Sequence, residues 1–214
     1  MTQVGGDGNA GGELGTIVVL NGTPRSGKSS IASALQGSSG ALWLNLGVDA
    51  FAAVTPEQFR PGIGLRPGGE RPDLEDTVVA LFGALYASVR ACSRLGRNIV
   101  VDVGHHDDYS RPLGILPKTA ATLQGLPAYF IGVRCSIAVI MDRRDAGGAN
   151  YVTSEPGGTV PDVVYRWERA VHDPGIYDLE VDTSLSSAEA CAGAIRRRLE
   201  EGPPVAFAAL AARR

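Results

Sequence analysis

A β-branched run that stops at a glycine-rich turn and restarts as a helix leaves few folds open to this chain. Thr16-Ile17-Val18-Val19-Leu20-Asn21 is continuous and apolar, as a strand covered on both faces must be. Gly22-Thr23-Pro24-Arg25-Ser26-Gly27-Lys28-Ser29 follows at the spacing Gly-x-x-x-x-Gly-Lys-Ser, and Lys28 to Gln36 then reads as helix. Glycines let the backbone curl so that successive N–H groups point inward, and the helix N-terminus adds partial positive charge to that nest. Such a turn cradles the phosphates of a nucleotide. Gly22, Thr23, Pro24, Arg25, Ser26, Gly27, Lys28, Ser29 and Ser30 are therefore the expected nucleotide-binding residues. Lys28 should bridge the terminal phosphates of ATP, and the Ser29 hydroxyl should complete a Mg2+ shell.

The rest of the chain alternates short apolar runs with helical patterns, which predicts an α/β fold with a parallel sheet between two helical layers. Strands are expected at Leu42–Leu46, Asn98–Val103, Pro127–Val133 and Asp178–Asp182. Helices are expected from Gly47, at Leu74–Leu95 with Asp73 as its cap, at Leu113–Leu123, Ser136–Arg144, Val163–Val171 and Ser187–Glu200. Pro56–Pro72 and Asp145–Pro161 are dense in Gly and Pro, aperiodic, and read as loops. The expected organisation is a flexible segment over 1–14, one P-loop NTPase domain of five parallel strands over 15–200 with a lid at about 136–162, and a tail over 201–214.

Composition removes several functions. A net charge of −3 gives no general attraction to nucleic acid or anionic membrane, and no stretch approaches the roughly 20 apolar residues of a membrane span. Residues 1–15 lack the charged and apolar regions of a secretory signal, so a cytoplasmic location is expected. Cys92, Cys135 and Cys191 lie in apolar patterns and are expected as reduced core residues. A GTPase would carry a guanine-reading Asn-Lys-x-Asp, which is absent, and Asp102-Val103-Gly104 is one residue short of the Asp-x-x-Gly switch.

A hydroxyl attacking a γ-phosphoryl group benefits from a carboxylate that orients it and takes its proton. Asp49, at the carboxyl edge of the second strand, is the candidate base, against the plainer reading that it caps the helix starting at Ala50. Asp102 closes the third strand and is the candidate partner of Ser29 around Mg2+. Arg143 and Arg144 end a helix just before a Gly-rich segment, and one of them is expected to meet the transferring phosphoryl, against complementing the helix C-terminus. His105-His106-Asp107-Asp108 stands open between substrate contact, Mg2+ support and plain solvation, with a zinc site the least favoured.

The chain resembles the chloramphenicol phosphotransferase family of antibiotic O-phosphotransferases. The resemblance runs from about Gly15 to Leu199. It rests on Gly22 to Ser30, Trp43-Leu44-Asn45-Leu46-Gly47-Val48-Asp49, Ile131-Gly132-Val133-Arg134-Cys135 and Tyr177-Asp178-Leu179-Glu180-Val181-Asp182-Thr183. It implies a fold like shikimate and nucleoside-monophosphate kinases, ATP-dependent phosphorylation of an antibiotic hydroxyl, Asp49 as base and a lid role for Arg143 or Arg144. The acceptor is left open between a chloramphenicol-like and a nucleoside antibiotic, and the assembly between monomer and homodimer. Two other readings compete. A metabolic kinase for an acidic or phosphorylated acceptor would draw on Arg60, Arg66 and Arg71, and a nucleotide-binding switch would transfer nothing.

Overall fold

The computed structural model describes residues 13–38, 40–147, 153–154 and 158–213. Its centre is β1 (Ile17–Asn21), every residue of which is buried. The strands β2 (Trp43–Asn45), β3 (Asn98–Val103), β4 (Ala128–Arg134) and β5 (Leu179–Asp182) complete a parallel sheet in the order β2-β3-β1-β4-β5. Strand side chains alternate between faces. Ile17, Val19, Ile99, Val101 and Phe130 therefore pack with α3 (Glu75–Arg94), α4 (Ile115–Thr122) and α8 (Ala206–Ala212) on one side. Val18, Leu20, Val100, Ile131 and Val133 face the opposite layer, where Ile31, Leu35, Cys191 and Ile195 belong to α1 (Lys28–Ser38) and α7 (Ala188–Glu200). That two-sided burial is why β1 reads as an unbroken apolar run.

Three segments differ from the expectation in detail. Pro56–Pro72 is a chain of short 3-10 turns at Glu57–Phe59, Gly62–Leu65 and Pro72–Leu74 rather than open loop. Asp73 falls inside the last of these and holds Arg71 through two hydrogen bonds of 2.9 and 2.7 Å, so it does not cap α3. Leu74 takes the N-cap position there, without a side-chain cap. The C-terminal residues form α8, whose Phe207 and Leu210 are buried, and the Asp178 carboxylate accepts from the N–H groups of Val205 and Ala206 at 2.7 and 3.2 Å.

The remaining helices are α2 (Val48–Val54), α5 (Ile137–Asp145) and α6 (Asp162–Val171). Ser136 and Ser187 cap α5 and α7 through their hydroxyls. Cys92, Cys135 and Cys191 are all unbridged. Part of the expected lid, 148–152 and 155–157, and residues 1–12 of the N-terminal segment lie outside the described residues. Among the described residues no helix is long and apolar enough to cross a membrane.

Candidate active site

The carboxyl ends of β1 and β3 lie side by side, Leu20 against Asp102 and Asn21 against Val103, and this register builds the site. The loop between β1 and α1 turns through Arg25 at φ +72° and Gly27 at φ +95°. A side chain at Gly22 would stand 2.5 Å from the Val133 carbonyl, so the loop can lie against β4 only because that residue is glycine. Lys28, 8% exposed, turns its ammonium back to the Gly22 and Thr23 carbonyls at 2.9 and 3.0 Å. The Ser26 hydroxyl is buried with no partner.

Asp102 brings the candidate metal ligands together. Its Oδ2 accepts from the Ser29 hydroxyl at 2.6 Å, and its Oδ1 lies 3.6 Å from Lys28 Nζ. Beside them, Gly47 lies so close to Asp102 that a Cβ there would come within 2.8 Å of the Asp102 carbonyl. The chain turns at that contact into α2, and Asp49 emerges on its first turn, exposed. The N-cap of α2 is Gly47, and α2 begins at Val48, so Asp49 is not a capping residue.

The two adjacent arginines part company. Arg143 donates from Nη1 to the Arg25 carbonyl (3.2 Å) and to Thr183 Oγ1 (3.0 Å), and from Nη2 to the Thr183 carbonyl (3.0 Å). Arg144 is 2% exposed and shares the buried stripe of α5 with Ile140 and Met141. Facing inward, it does not present its guanidinium to an open phosphate site. A cleft of about 660 Å³ opens beside the loop, lined by Arg25, Lys28, Ser29, Arg143 and Thr183, with 186–188 at the start of α7. The Arg25 guanidinium reaches across it to the Gly147 carbonyl at the end of α5.

His105, His106, Asp107 and Asp108 point four ways. His105 bonds the Tyr86 hydroxyl at 2.6 Å among Phe82, Tyr86 and Phe130, and burial, with a smaller push from His106, lowers its pKa to about 3. His106 stacks on Tyr109 with ring centroids 4.2 Å apart and sets Nε2 2.9 Å from the Leu65 carbonyl; burial lowers its pKa also. Asp107 accepts from the N–H groups of Leu113 and Gly114 at 2.7 and 3.0 Å. Asp108 pairs with Arg166 at 2.6 and 2.7 Å. Among the described residues no cluster could hold a metal through three His, Cys, Asp or Glu side chains.

Sequence reading missed one group altogether. Glu168 on α6 accepts a hydrogen bond from the Thr23 hydroxyl in the phosphate loop and lies 3.3 Å from His172, one turn on. His172 Nδ1 meets the Tyr177 hydroxyl at 2.8 Å, and Asn21 Nδ2 donates to that hydroxyl at 3.0 Å. Burial raises the Glu168 pKa, but the hydrogen bonds from His172 and Thr23 outweigh it and hold the carboxyl below its usual range. The i, i+4 spacing of Glu168 and His172, across the end of the helix expected at Val163–Val171, was the available signal.

The profile of the family described as "Chloramphenicol phosphotransferase-like protein" matches residues 15–200. A Mycobacterium tuberculosis protein (strain H37Rv) named "Putative O-phosphotransferase Rv2636" is 26% identical over 213 residues, covering 92% of this chain and 88% of that one. Among solved structures, the tunicamycin resistance protein of Deinococcus radiodurans superposes with a TM-score of 0.58 at 16% identity, covering 89% of this chain and 98% of that one. Shikimate kinase from Acinetobacter baumannii gives 0.57 at 13% identity, covering 88% and 95%. At such identities the superpositions speak for the fold, that of the P-loop kinases.

Proposed function

This chain belongs to the chloramphenicol phosphotransferase-like family and is a P-loop small-molecule kinase; on that premise we propose that it moves the γ-phosphate of ATP, with Mg2+, to a hydroxyl of an antibiotic. The observation that carries the reading is the Asp102 carboxylate, held between the Ser29 hydroxyl and the Lys28 ammonium at the mouth of the phosphate loop. Two features fit a phosphate there: a buried Ser26 hydroxyl without a partner among the described residues, and a lysine bonded to two carbonyls of its own loop with a carboxylate 3.6 Å away. Ser29 and Asp102 offer hard oxygen donors that suit Mg2+, which would draw charge from the phosphate oxygens.

The chain's own groups divide the work. Lys28 leaves the Gly22 and Thr23 carbonyls for the terminal phosphates, and the loop N–H groups hold them. Arg143, already bonded to the Arg25 carbonyl, supplies planar donors from the side of the lid. Asp49, exposed on α2, orients the acceptor hydroxyl and takes its proton. An antibiotic acceptor accords with the family and with the fate of two loop arginines, since Arg71 is tied to Asp73 and Arg60 to the Thr55 carbonyl at 2.8 Å. Both are drawn away from service to an acidic metabolite.

The test is mass spectrometry of purified protein with ATP, Mg2+ and a panel of hydroxylated and nucleoside antibiotics. A product heavier by one phosphate, with matching ADP, is expected. Nucleotide binding without acceptor-stimulated ADP would instead favour a switch.

A further inference from the structure

A second cavity, about 680 Å³, lies between α6, the start of α5, and Pro67 and Glu70, and shares no lining residue with the 660 Å³ cleft. Its volume falls within the range of small-molecule sites, roughly 300–1,000 Å³. One residue joins it to the chemistry: Glu168 lines the cavity and accepts from the Thr23 hydroxyl of the phosphate loop. The Glu168 side chain is 20% exposed, and His172 backs it at 3.3 Å. His172 Nε2 lies 3.3 Å from the Glu168 carboxylate, and Nδ1 of the same ring meets the Tyr177 hydroxyl at 2.8 Å. The carboxylate is thus braced from behind and retains lone pairs for whatever enters the cavity.

The wall is acidic. Glu70, Asp162 and Glu168 face two guanidiniums, Arg166 and Arg169, and Arg166 is already held bidentately by Asp108. An anionic ligand would meet three carboxylates against two cations, one of which, Arg166, is already paired with Asp108 outside the lining. Tyr165, 45% exposed on the same wall, offers a ring face for stacking.

We infer that this cavity receives the acceptor and that Glu168 selects it, the ligand being a ring-bearing molecule with a hydrogen-bond donor near its reacting hydroxyl and no anionic group. The cavity's role as acceptor site rests on the kinase reading above. The donor is a neighbouring hydroxyl or an ammonium, either of which takes up the carboxylate now bonded to Thr23.

Trp167, next to Glu168, reports binding by its fluorescence, with Trp43→Phe removing the other tryptophan. The W43F protein is titrated, with and without a non-hydrolysable ATP analogue and Mg2+, against three matched sets: neutral ring polyols and nucleosides, their amino counterparts, and their phosphate monoesters. The first two sets should bind at least tenfold more tightly than the third. Glu168→Gln should weaken them by roughly ten- to hundredfold while retaining the ATP analogue and the melting temperature. Arg169→Glu should tighten the amino set alone, which separates ammonium from hydroxyl recognition. Preference for the phosphate monoesters, equal affinity in E168Q, or no binding by either donor-bearing set would each overturn the inference. Selective, Glu168-dependent binding without phosphate transfer would count against the kinase reading alone. Transfer to the same compounds at an unchanged rate in E168Q would count against this inference alone.

Discussion

Ser29 on α1 donates its hydroxyl proton to Asp102 on β3 across 2.6 Å, although 73 residues separate them. The bond exists because β3 pairs directly with β1 in parallel register and delivers its last carboxylate beside the turn that β1 feeds. If this pair holds the metal, Asp102→Asn should raise the Mg2+ concentration for half-maximal ADP formation by roughly 10- to 100-fold, with a smaller effect on the KM for ATP at saturating Mg2+. A Mg2+ titration of the variant checks this, and an unchanged midpoint would remove Asp102 from the metal shell.

Asp49 stands exposed on the first turn of α2, and α2 buries no residue, so its carboxylate can be removed with little structural cost. Asp49→Ala should retain nucleotide binding and its melting temperature while losing phosphate transfer by roughly 10²- to 10⁴-fold. Calorimetric titration with an ATP analogue, run beside coupled ADP release, separates the two. Transfer at the normal rate would disprove its role as base.

Arg143 and Arg144 should fail in different assays. Arg143→Ala removes a guanidinium bonded to the Arg25 and Thr183 carbonyls, and turnover should drop on the order of 10²-fold with a modest change in Tm. Arg144→Ala truncates a side chain that is 2% exposed, and should cost about 3 kcal/mol, or roughly 6–12 °C in Tm. Thermal melts and steady-state rates on both variants give the comparison.

His105 makes stability depend on pH. Its folded pKa of about 3 lies below the unfolded value of 6.5, because burial disfavours the charged ring. The unfolded chain therefore takes up the proton first, and stability that is intact above pH 6.5 is lost progressively as pH falls toward 3. At pH 5 this one group should cost about 2 kcal/mol. Urea unfolding at pH 7 and pH 5 measures it, and His105→Gln should flatten that part of the dependence.

The strands and the phosphate loop were legible because two-sided burial leaves an unbroken apolar run and the nest needs its glycines at fixed spacing. Other features depended on direction in space. Adjacent residues on a helix point about 100° apart, so Arg143 and Arg144 could not share a role. Arg144 lies four residues after Ile140 on the buried stripe, a sign the sequence did carry. The four polar residues after β3 could not be sorted, since each goes where the loop backbone turns it. Asp73 does not cap α3 because a 3-10 turn at Pro72–Leu74, which leaves little mark on periodicity, precedes that helix.

α2 carries the candidate base yet contributes no buried side chain of its own, while β1, one edge of the same site, is wholly buried. Such a helix opens at a small fraction of the global unfolding free energy, so its amides should exchange with deuterium well before those of β1. The donor half of the site is then fixed, and the candidate base sits on an element held by partial burial alone, free to settle when an acceptor binds. Slower exchange in α2 on acceptor binding, with β1 unchanged, is the signature of that division.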